Sequence, residues 1–177
     1  MFPELESHYQ LLKKWNKVLN LTAVDRYEDA VERHYGESLF LGRHLPAGSL
    51  RIVDIGSGAG FPGIPVAVLR PDCLVTLVES HQRKAVFLRE ATRSLTNVRV
   101  LARRAETVDE SFDWAISRAV SYADLAKSLR RLGSRAALLT GSDEPPANLG
   151  FEWQEPIPLP GATNRFLRVS RETSSLK

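Results

Sequence analysis

At 177 residues, with 43% hydrophobic and 25% charged side chains, the chain is long enough for one globular domain with a core of its own. Its single cysteine, Cys73, excludes an internal disulfide and favours a reducing compartment. The net charge is +3, and the 18 arginines among the 24 basic residues point only mildly to nucleic acid. No apolar run approaches the ~20 residues of a membrane span. Residues 1–4 lack the pattern of a signal peptide, so we expect a cytoplasmic protein without a membrane partner.

Two helices are predicted in the first 50 residues. The apolar positions of the first, between residues 3 and 20, recur at helical spacing and are Leu5, Tyr9, Leu12, Trp15 and Leu19. The second is predicted from about Glu28 to His44, ahead of the helix-breaking segment 46–49. We therefore predict an N-terminal helical cap, residues 1–50, followed by a core domain, residues 51–177.

The stretch from Val53 to Phe61 organises the rest of the chain. Residues 51–55 predict a short buried strand, and three alternating glycines follow as a tight turn that lets the backbone lie close to a ligand. A helix opens after the turn, which gives the nucleotide-binding corner of a doubly wound α/β sheet. Glu79 ends a second predicted strand, 74–78, and lies 19 residues after the third glycine, where its carboxylate is placed to accept from both ribose hydroxyls.

The spacing of the glycines separates two classes of nucleotide-binding protein. Dinucleotide-binding proteins carry G-x-G-x-x-G, whereas Asp54, Gly56, Gly58 and Gly60 form acid-x-G-x-G-x-G. This form resembles motif I of class I S-adenosylmethionine methyltransferases. A plain structural turn, with Glu79 as a solvated acid at the end of a strand, is the alternative interpretation.

The remaining elements alternate between helices and strands. Helices are predicted at 81–95 and 122–132, the second capped by Gly133, and strands at 97–102, 112–117 and 135–140. This alternation predicts a parallel sheet with right-handed crossovers. The segments 151–159 and 164–170 have no helix between them and predict an antiparallel hairpin at the sheet edge. Five α/β units followed by a β-hairpin are typical of the Rossmann-like class I methyltransferase fold, whereas a dinucleotide dehydrogenase usually continues with βα units.

Four sequence blocks occur in a family-specific order. They are Trp15–Thr22, Arg33–Leu39, Val53–Pro65 and Ile116–Ala119. With these blocks the chain resembles the ribosomal RNA small subunit methyltransferase G family, also called glucose-inhibited division protein B, from about Leu12 to its end. The resemblance implies an S-adenosylmethionine-dependent enzyme that methylates N7 of a guanine, of the position-527 type, in the 16S rRNA of the small ribosomal subunit.

The chain departs from the family pattern at two places. Glu37 stands where the family usually has the shorter aspartate, so the role of that carboxylate is open. The segment 141–148 is too short and too rich in proline for the helix that a typical member has there. We therefore expect one face of the sheet to be thinly covered.

The predicted cofactor-binding residues lie around the glycine turn and at the ends of the neighbouring strands. They are Asp54, Gly56, Ser57, Gly58, Gly60, Phe61, Glu79, Ser80, Ala105, Glu106 and Arg118. The turn amides and the helix N-terminus after Phe61 suit the methionine carboxylate, and Asp54 either orders the turn or meets the cofactor's ammonium. The resemblance implies that Ala105 and Glu106 reach the adenine and that Arg118 lines the same crevice.

Basic and polar side chains near this edge of the sheet are candidates for RNA contact. They are Asn16, His34, Arg83, Lys84 and Arg118. His34 lies on the apolar side of its predicted helix, where a histidine is more often packed than in contact with RNA. A solvated helix face explains Arg83 and Lys84 equally well. Arg118 is predicted to hold either the cofactor carboxylate or the RNA.

The implied chemistry requires alignment rather than a general base. Guanine N7 carries an in-plane lone pair at neutral pH, so the donor methyl and the acceptor nitrogen need only be held in line. Ser117-Arg118-Ala119 follows the fourth predicted strand, where amino-group methyltransferases carry an Asn/Asp-Pro-Pro-aromatic block. The sequence also lacks a cysteine nucleophile and a metal-spaced His/Cys cluster. We therefore expect no catalytic base, no metal and a monomeric enzyme.

Three other functions stay open at this point. One is a methyltransferase that acts on another acceptor. Another is an NAD-binding oxidoreductase built on the same corner, against which the glycine spacing and the terminal hairpin argue. The last is a module that binds S-adenosylmethionine or RNA without turnover, which the short segment 141–148 leaves open.

Overall fold

The computed structural model of the protein describes residues 2–24 and 26–172, so the last five residues of the predicted core domain, 173–177, lie outside the described residues. The strands within these ranges are β1 Arg51–Ile55, β2 Leu74–Val78, β3 Val98–Leu101, β4 Phe112–Arg118, β5 Gly133–Thr140, β6 Ile157–Pro158 and β7 Phe166–Val169. The α-helices are α1 Pro3–Leu19, α2 Tyr27–Ala30, α3 Glu37–His44, α4 Gly63–Leu69, α5 Gln82–Ala91, α6 Tyr122–Leu125 and α7 Leu129–Leu132.

The strands form one mostly parallel sheet in the order β3-β2-β1-β4-β5-β7-β6. The first five strands pair in parallel, whereas β7 is antiparallel to β5 and β6 is antiparallel to β7. The predicted parallel sheet and the predicted antiparallel hairpin at its edge are both confirmed. The chain proceeds from β1 towards β3 and then returns to the other side of β1 with β4, which creates a switch point beside β1.

The terminal hairpin is shorter than predicted. Its two strands, β6 and β7, contain two and four residues, and one additional bridge joins Trp153 to Ser170. The segment 156–160 contains three prolines, which lack the N–H that a strand ladder requires. The ladder therefore ends early on this edge of the sheet.

The second predicted helix is continuous but not uniform. Between α2 and α3 the chain forms a π-helical segment, Val31–Gly36, so that one helical run extends from residue 27 to residue 44. A Cβ at Gly36 would lie 3.2 Å from the carbonyl oxygen of Val31, closer than Cβ contacts normally come. Short π-helical turns occur frequently at functional sites, and this one carries two of the family blocks' aromatic residues, His34 and Tyr35.

The predicted helix 122–132 is wrong in its middle, whereas its predicted cap is found. The chain forms two single turns, α6 and α7, and Gly133 is the C-cap residue of the second, with its amide donating to the Leu129 carbonyl, and also begins β5. Gly133 pairs with Phe112, and a Cβ at this position would lie 2.6 Å from the Cβ of Ala115. The glycine is therefore required by the close approach of β4 and β5 rather than by a helix end.

Two hydrophobic clusters cover the two faces of the sheet. One contains residues of α1, α3, α4 and α5, including Leu5, Leu41 and Phe87, together with Ile52 of β1. The other contains residues of α6 and α7. The N-terminal helices thus share a core with the sheet. Within the described residues, no helix has the length and apolar character needed to cross a membrane.

The segment 141–148 carries no α-helix, as predicted, and its last two residues belong to a 3-10 turn, Ala147–Leu149. The segment is fastened to the sheet by the Tyr122 hydroxyl, which donates to the Asp143 carbonyl at 2.8 Å. Arg168 of β7 donates to the Ser142 carbonyl at 3.3 Å.

Candidate functional site

A crevice of about 350 Å³ opens at the carboxyl ends of β1, β2 and β4. Its lining residues are Leu21, Thr22, His34, Gly56, Ser57, Gly58, Ala59, Phe61, Glu79, Lys84, Arg118 and Ala119. Ligands of open parallel α/β sheets bind at this edge, beside the strand where the order reverses. Most of the predicted cofactor-binding residues are therefore brought together where the fold favours a ligand.

The glycine turn, residues 56–60, has a backbone that only glycine adopts easily. Gly56, Gly58 and Gly60 have φ values of 70°, 56° and 94°. A Cβ at Gly56 would lie 2.6 Å from a methyl group of Val120, whereas the space beside Gly58 is open. The amides of residues 56 and 57 donate to the Val78 carbonyl at 2.9 and 3.0 Å. The turn is thus tied to the end of β2, and its open side faces the crevice.

Glu79 joins the glycine turn to the start of α5. Its carboxylate accepts from the Gly58 amide at 2.9 Å and from the His81 amide at 2.7 Å, and the residue is 8% exposed. Each carboxylate oxygen has a second lone pair, so both can still accept from a ligand hydroxyl. Ser80, which follows, is exposed and does not line the crevice.

Asp54 lies beneath the turn rather than on the crevice wall. It is fully buried, and its Oδ2 accepts from the Gly63 amide at the start of α4 at 2.9 Å. Burial raises the pKa of the Asp54 carboxyl to about 7. This position favours the role of ordering the turn, and a contact with the cofactor's ammonium stays a prediction.

Arg118 ends β4 and belongs to a buried group of charges. Its guanidinium Nη2 lies 3.6 Å from Oε2 of Glu37, and Arg165 donates to the same oxygen at 2.6 Å. Glu37 is 3% exposed, and burial lowers the pKa of Arg118 to about 10. The carboxylate whose role was open therefore links α3 to β4 and to the hairpin.

The family block Trp15–Thr22 places His34 at the crevice. The side chain of Asn16 donates to the Thr22 carbonyl and accepts from the Thr22 amide, each at 2.9 Å. The Thr22 hydroxyl lies 2.8 Å from Nε2 of His34, whose ring is 4.8 Å from that of Phe61. Burial and the charge of the nearby arginines lower the pKa of His34 to about 3. Asn16 thus shapes the loop, while His34 reaches the crevice.

The other predicted contacts lie at the rim. Lys84 lines the crevice, and Arg83 is exposed on the first turn of α5. Ala105 and Glu106 form a 3-10 turn after β3, and Arg131 donates to their carbonyls at 3.0 and 3.1 Å. They do not line the crevice, although they lie at the same edge of the sheet, one strand beyond β2.

Sequence reasoning missed a buried pair beneath the glycine turn. Nε2 of His8 lies 2.9 Å from the Ala59 carbonyl oxygen, and the Tyr35 hydroxyl lies 2.8 Å from Nδ1. A carbonyl only accepts, so Nε2 carries the hydrogen and the hydroxyl donates to Nδ1. Burial lowers the pKa of His8 to about 4. The signal in the sequence was a histidine within the apolar stripe of α1, between Leu5 and Leu12.

A metal centre finds no support in the described residues, since they contain no group of three or more His, Cys, Asp and Glu side chains placed to hold an ion. What the crevice offers is the closely approachable backbone of a glycine turn, one carboxylate and one guanidinium around a narrow space. This set suits a ligand with hydroxyls at one end and a negative or hydrogen-bond-accepting group at the other.

The family model of rRNA small subunit methyltransferase G matches residues 1–139. The protein of that name from Methylobacillus flagellatus is 46% identical over 132 residues, which cover 72% of this chain and 63% of that relative. The one from Halorhodospira halophila is 44% identical over 124 residues, which cover 69% and 58%. The chain thus spans about three fifths of the length of these relatives.

Solved methyltransferases share the fold at low sequence identity. An S-adenosylmethionine-dependent methyltransferase from Aquifex aeolicus aligns with a TM-score of 0.63 and 14% identity, covering 85% of this chain and 96% of that one. The N-methyltransferase NodS from Bradyrhizobium japonicum aligns with a TM-score of 0.62 and 16% identity, covering 84% and 98%. The predicted class I methyltransferase fold is confirmed.

Proposed function

Because the chain belongs to the rRNA small subunit methyltransferase G family, we propose that it methylates 16S rRNA. The acceptor in this proposal is N7 of a guanine of the position-527 type, and the methyl donor is S-adenosylmethionine. The small ribosomal subunit in the cytoplasm is the proposed partner, and a monomer is the proposed working form.

The arrangement of the crevice across three strand ends supports the proposal most strongly. Glu79 follows β2, the glycine turn follows β1, and Arg118 ends β4, so a carboxylate and a guanidinium flank the turn. Neighbouring strands are about 4.8 Å apart, so the crevice extends across roughly 10 Å of the sheet edge. A methyl donor with its ribose at Glu79 and its amino-acid part at the turn fits this sequence of groups and leaves the Arg118 end of the crevice for the acceptor.

S-adenosylmethionine, when bound, supplies an electrophilic methyl group. Glu79 would accept from the ribose hydroxyls, and the open side of the glycine turn, with Ser57, would face the amino-acid part. Gly58, with open space beside it, leaves room for close approach of the ligand to the backbone. Phe61 and His34 would form an aromatic wall that excludes water from the reacting atoms.

The protonation behaviour of the crevice agrees with an acceptor that needs no deprotonation. The pKa of His34 is lowered to about 3, so its imidazole is a weak base. Arg118, with its pKa lowered to about 10, stays protonated at neutral pH. Guanine N7 already has an available lone pair, so alignment alone supplies the required catalysis. An acceptor that must first lose a proton is less well served by these groups.

The proposal is tested by methyl transfer from labelled S-adenosylmethionine to small ribosomal subunits from cells that lack this modification, followed by nucleoside analysis. We expect label in N7-methylguanosine. The variant Gly58→Asp should abolish it, because a carboxylate at the Gly58 position, which has φ of 56°, would be strained and would face Glu79. Ser134→Ala, on an exposed residue at the opposite end of β5, is the matched control.

The outcomes separate the alternatives. Binding of S-adenosylmethionine with no transfer to any RNA would support a module without turnover. Transfer to a nucleoside other than N7-methylguanosine would support another acceptor. Binding of NAD in place of S-adenosylmethionine would contradict the methyltransferase assignment.

A further inference from the structure

One end of the crevice carries a buried donor that has no hydrogen-bond partner among residues 2–24 and 26–172. This donor is Nη1 of Arg118, which is inaccessible to solvent, although the side chain as a whole is 11% exposed and lines the crevice. Buried guanidinium groups are normally hydrogen-bonded, and an unpaired one is costly. Such a group at the wall of a ligand site is suited to an acceptor that arrives with the ligand.

The surrounding structure fixes the direction of this donor. Nη2 of the same guanidinium faces Glu37, and that carboxylate is itself held by Arg165 at 2.6 Å. Ser117 donates to the Ile55 carbonyl at 2.8 Å and thereby fastens the end of β4 to β1. Ala119 has a left-handed φ of 58°, a strained conformation for a residue with a side chain. The end of β4 is thus held in place, and Nη1 is a buried guanidinium nitrogen, without a partner among the described residues, on a side chain that lines the crevice.

The position of Arg118 separates it from the ribose end of the crevice. Glu79 and Arg118 lie on opposite sides of β1, because β2 and β4 flank that strand. Arg118 is instead close to the crevice residues that come from the N-terminal helices, Thr22 and His34. The acceptor of a methyl group must enter at the end that is not occupied by the nucleoside of the donor.

Guanine and adenine differ at the atom beside N7. Guanine carries O6, an acceptor, whereas adenine carries an amino group, a donor, at the same place. An arginine donor therefore attracts guanine and repels adenine. A free arginine usually contacts O6 and N7 together, which would occupy the N7 lone pair. Here the Glu37 carboxylate lies 3.6 Å from Nη2 and competes with the base for that nitrogen, so Nη1 can contact O6 while N7 stays available for the methyl group.

We propose that Nη1 of Arg118 donates to O6 of the acceptor guanine, which selects guanine over adenine and presents N7 to the methyl donor. The charge of Glu37, 3.6 Å from Nη2, disfavours a second contact of that nitrogen with the base. The inference rests on the proposed methyl transfer and adds to it the group that recognises the base.

The test removes the Arg118 guanidinium and the O6 atom of the target guanine, first separately and then together. The target guanine in 16S rRNA is replaced by 2-aminopurine, which lacks O6 but keeps N7, through ligation of synthetic RNA and reconstitution of the small subunit. The enzymes are the wild type and Arg118→Gln. Either change alone should lower kcat/KM about 10- to 100-fold, as expected for a hydrogen bond to a charged group. The second change should then add less than about 3-fold, because the contact is already lost.

Two controls keep the result interpretable. The affinity of the variant for S-adenosylmethionine, measured by calorimetry, should stay within about 3-fold of the wild type, which also shows that the crevice is folded. Arg118→Lys keeps a positive charge beside Glu37 and should equally lose the preference for guanine over 2-aminopurine.

The failures of the two proposals are distinguishable. The assignment of Arg118 to O6 would be overturned if Arg118→Gln and the 2-aminopurine replacement lowered kcat/KM independently, so that their effects multiplied. It would also be overturned if a loss of cofactor affinity accounted for the whole decrease in kcat/KM. Absence of transfer by the wild-type protein to unmodified guanine RNA would overturn the proposed function together with it.

Discussion

Replacing His8 by leucine tests the support beneath the glycine turn. The change removes the donor to the Ala59 carbonyl and the acceptor for the Tyr35 hydroxyl, and His8 itself is 1% exposed. Each buried polar group left unpaired costs about 1–3 kcal/mol, so the free energy of unfolding near neutral pH should fall by about 2–5 kcal/mol. His8→Gln should recover part of this loss, because its amide can still donate to the carbonyl.

The pKa of His8 gives the same variant a pH signature. In the folded protein burial lowers the pKa to about 4, against about 6.5 in the unfolded chain. The unfolded chain therefore binds more protons between these values, and wild-type stability falls as the pH falls through this window. The loss amounts to about 2 kcal/mol at about pH 5. The His8→Leu variant has no imidazole to titrate. The difference in free energy of unfolding between wild type and variant should therefore be about 2 kcal/mol smaller at about pH 5 than near neutral pH.

Urea unfolding of the wild type, His8→Leu and His8→Gln at about pH 7.5 and about pH 5 measures both effects. A difference between wild type and leucine variant that is the same at both pH values would refute the buried, neutral imidazole. A leucine variant as stable as the wild type near neutral pH would refute the hydrogen-bonded support itself.

Three further predictions concern the crevice. Glu79→Gln should weaken binding of S-adenosylmethionine about tenfold or more by calorimetry, because an amide in place of the carboxylate weakens its contacts with the Gly58 amide and with ribose. Between about pH 4 and about pH 7 the Asp54 carboxyl keeps its proton in the folded wild type and loses it in the unfolded chain, so wild-type stability falls as the pH rises. Asp54→Asn does not titrate, and its free energy of unfolding in urea should therefore rise relative to wild type over this window, by up to about 4 kcal/mol. Glu37→Ala should lower kcat of methyl transfer and the melting temperature by leaving two arginines unpaired, whereas Glu37→Asp should keep most of both.

Local signals in the sequence were sufficient for the central part of the fold. The strand and glycine turn from Arg51 to Gly60 were predicted because β-branched residues and glycines determine their backbone directly. The prediction of one continuous helix over residues 122–132 was wrong, because the way this segment packs depends on the neighbouring strands. Gly133 belongs to β5 through its pairing with Phe112, which lies 21 residues earlier and is not visible as a local pattern.

The site was predictable to the extent that its residues follow a motif. The turn glycines and Glu79 meet in one crevice, as their spacing indicated. The two arginine partners of Glu37 were not predictable, since Arg165 is 128 residues away from Glu37 along the chain and meets it only in the folded protein. An RNA contact by Asn16 stays a prediction, and the two backbone hydrogen bonds of its side chain are contacts that a sequence pattern does not reveal.

The family blocks in the N-terminal helices gain a physical explanation from these contacts. The block Trp15–Thr22 fastens α1 to α5, because the Trp15 indole donates to Glu90 at 3.1 Å, and it also positions His34. The block Arg33–Leu39 supplies His34 to the crevice wall and Glu37 to the ion pair with Arg118. The helical cap therefore forms one side of the proposed acceptor end, in addition to covering the sheet.

The most direct test of the proposed guanine N7-methylation maps the methyl group on the RNA. The chain is expressed in cells that lack this modification, and 16S rRNA is cleaved chemically at N7-methylguanosine and read by primer extension. We expect one new cleavage, at the guanine of the position-527 type, with the wild-type chain and none with Gly58→Asp. No new cleavage from a folded wild-type chain that binds S-adenosylmethionine, or a cleavage at a different nucleotide, would contradict the proposed methylation.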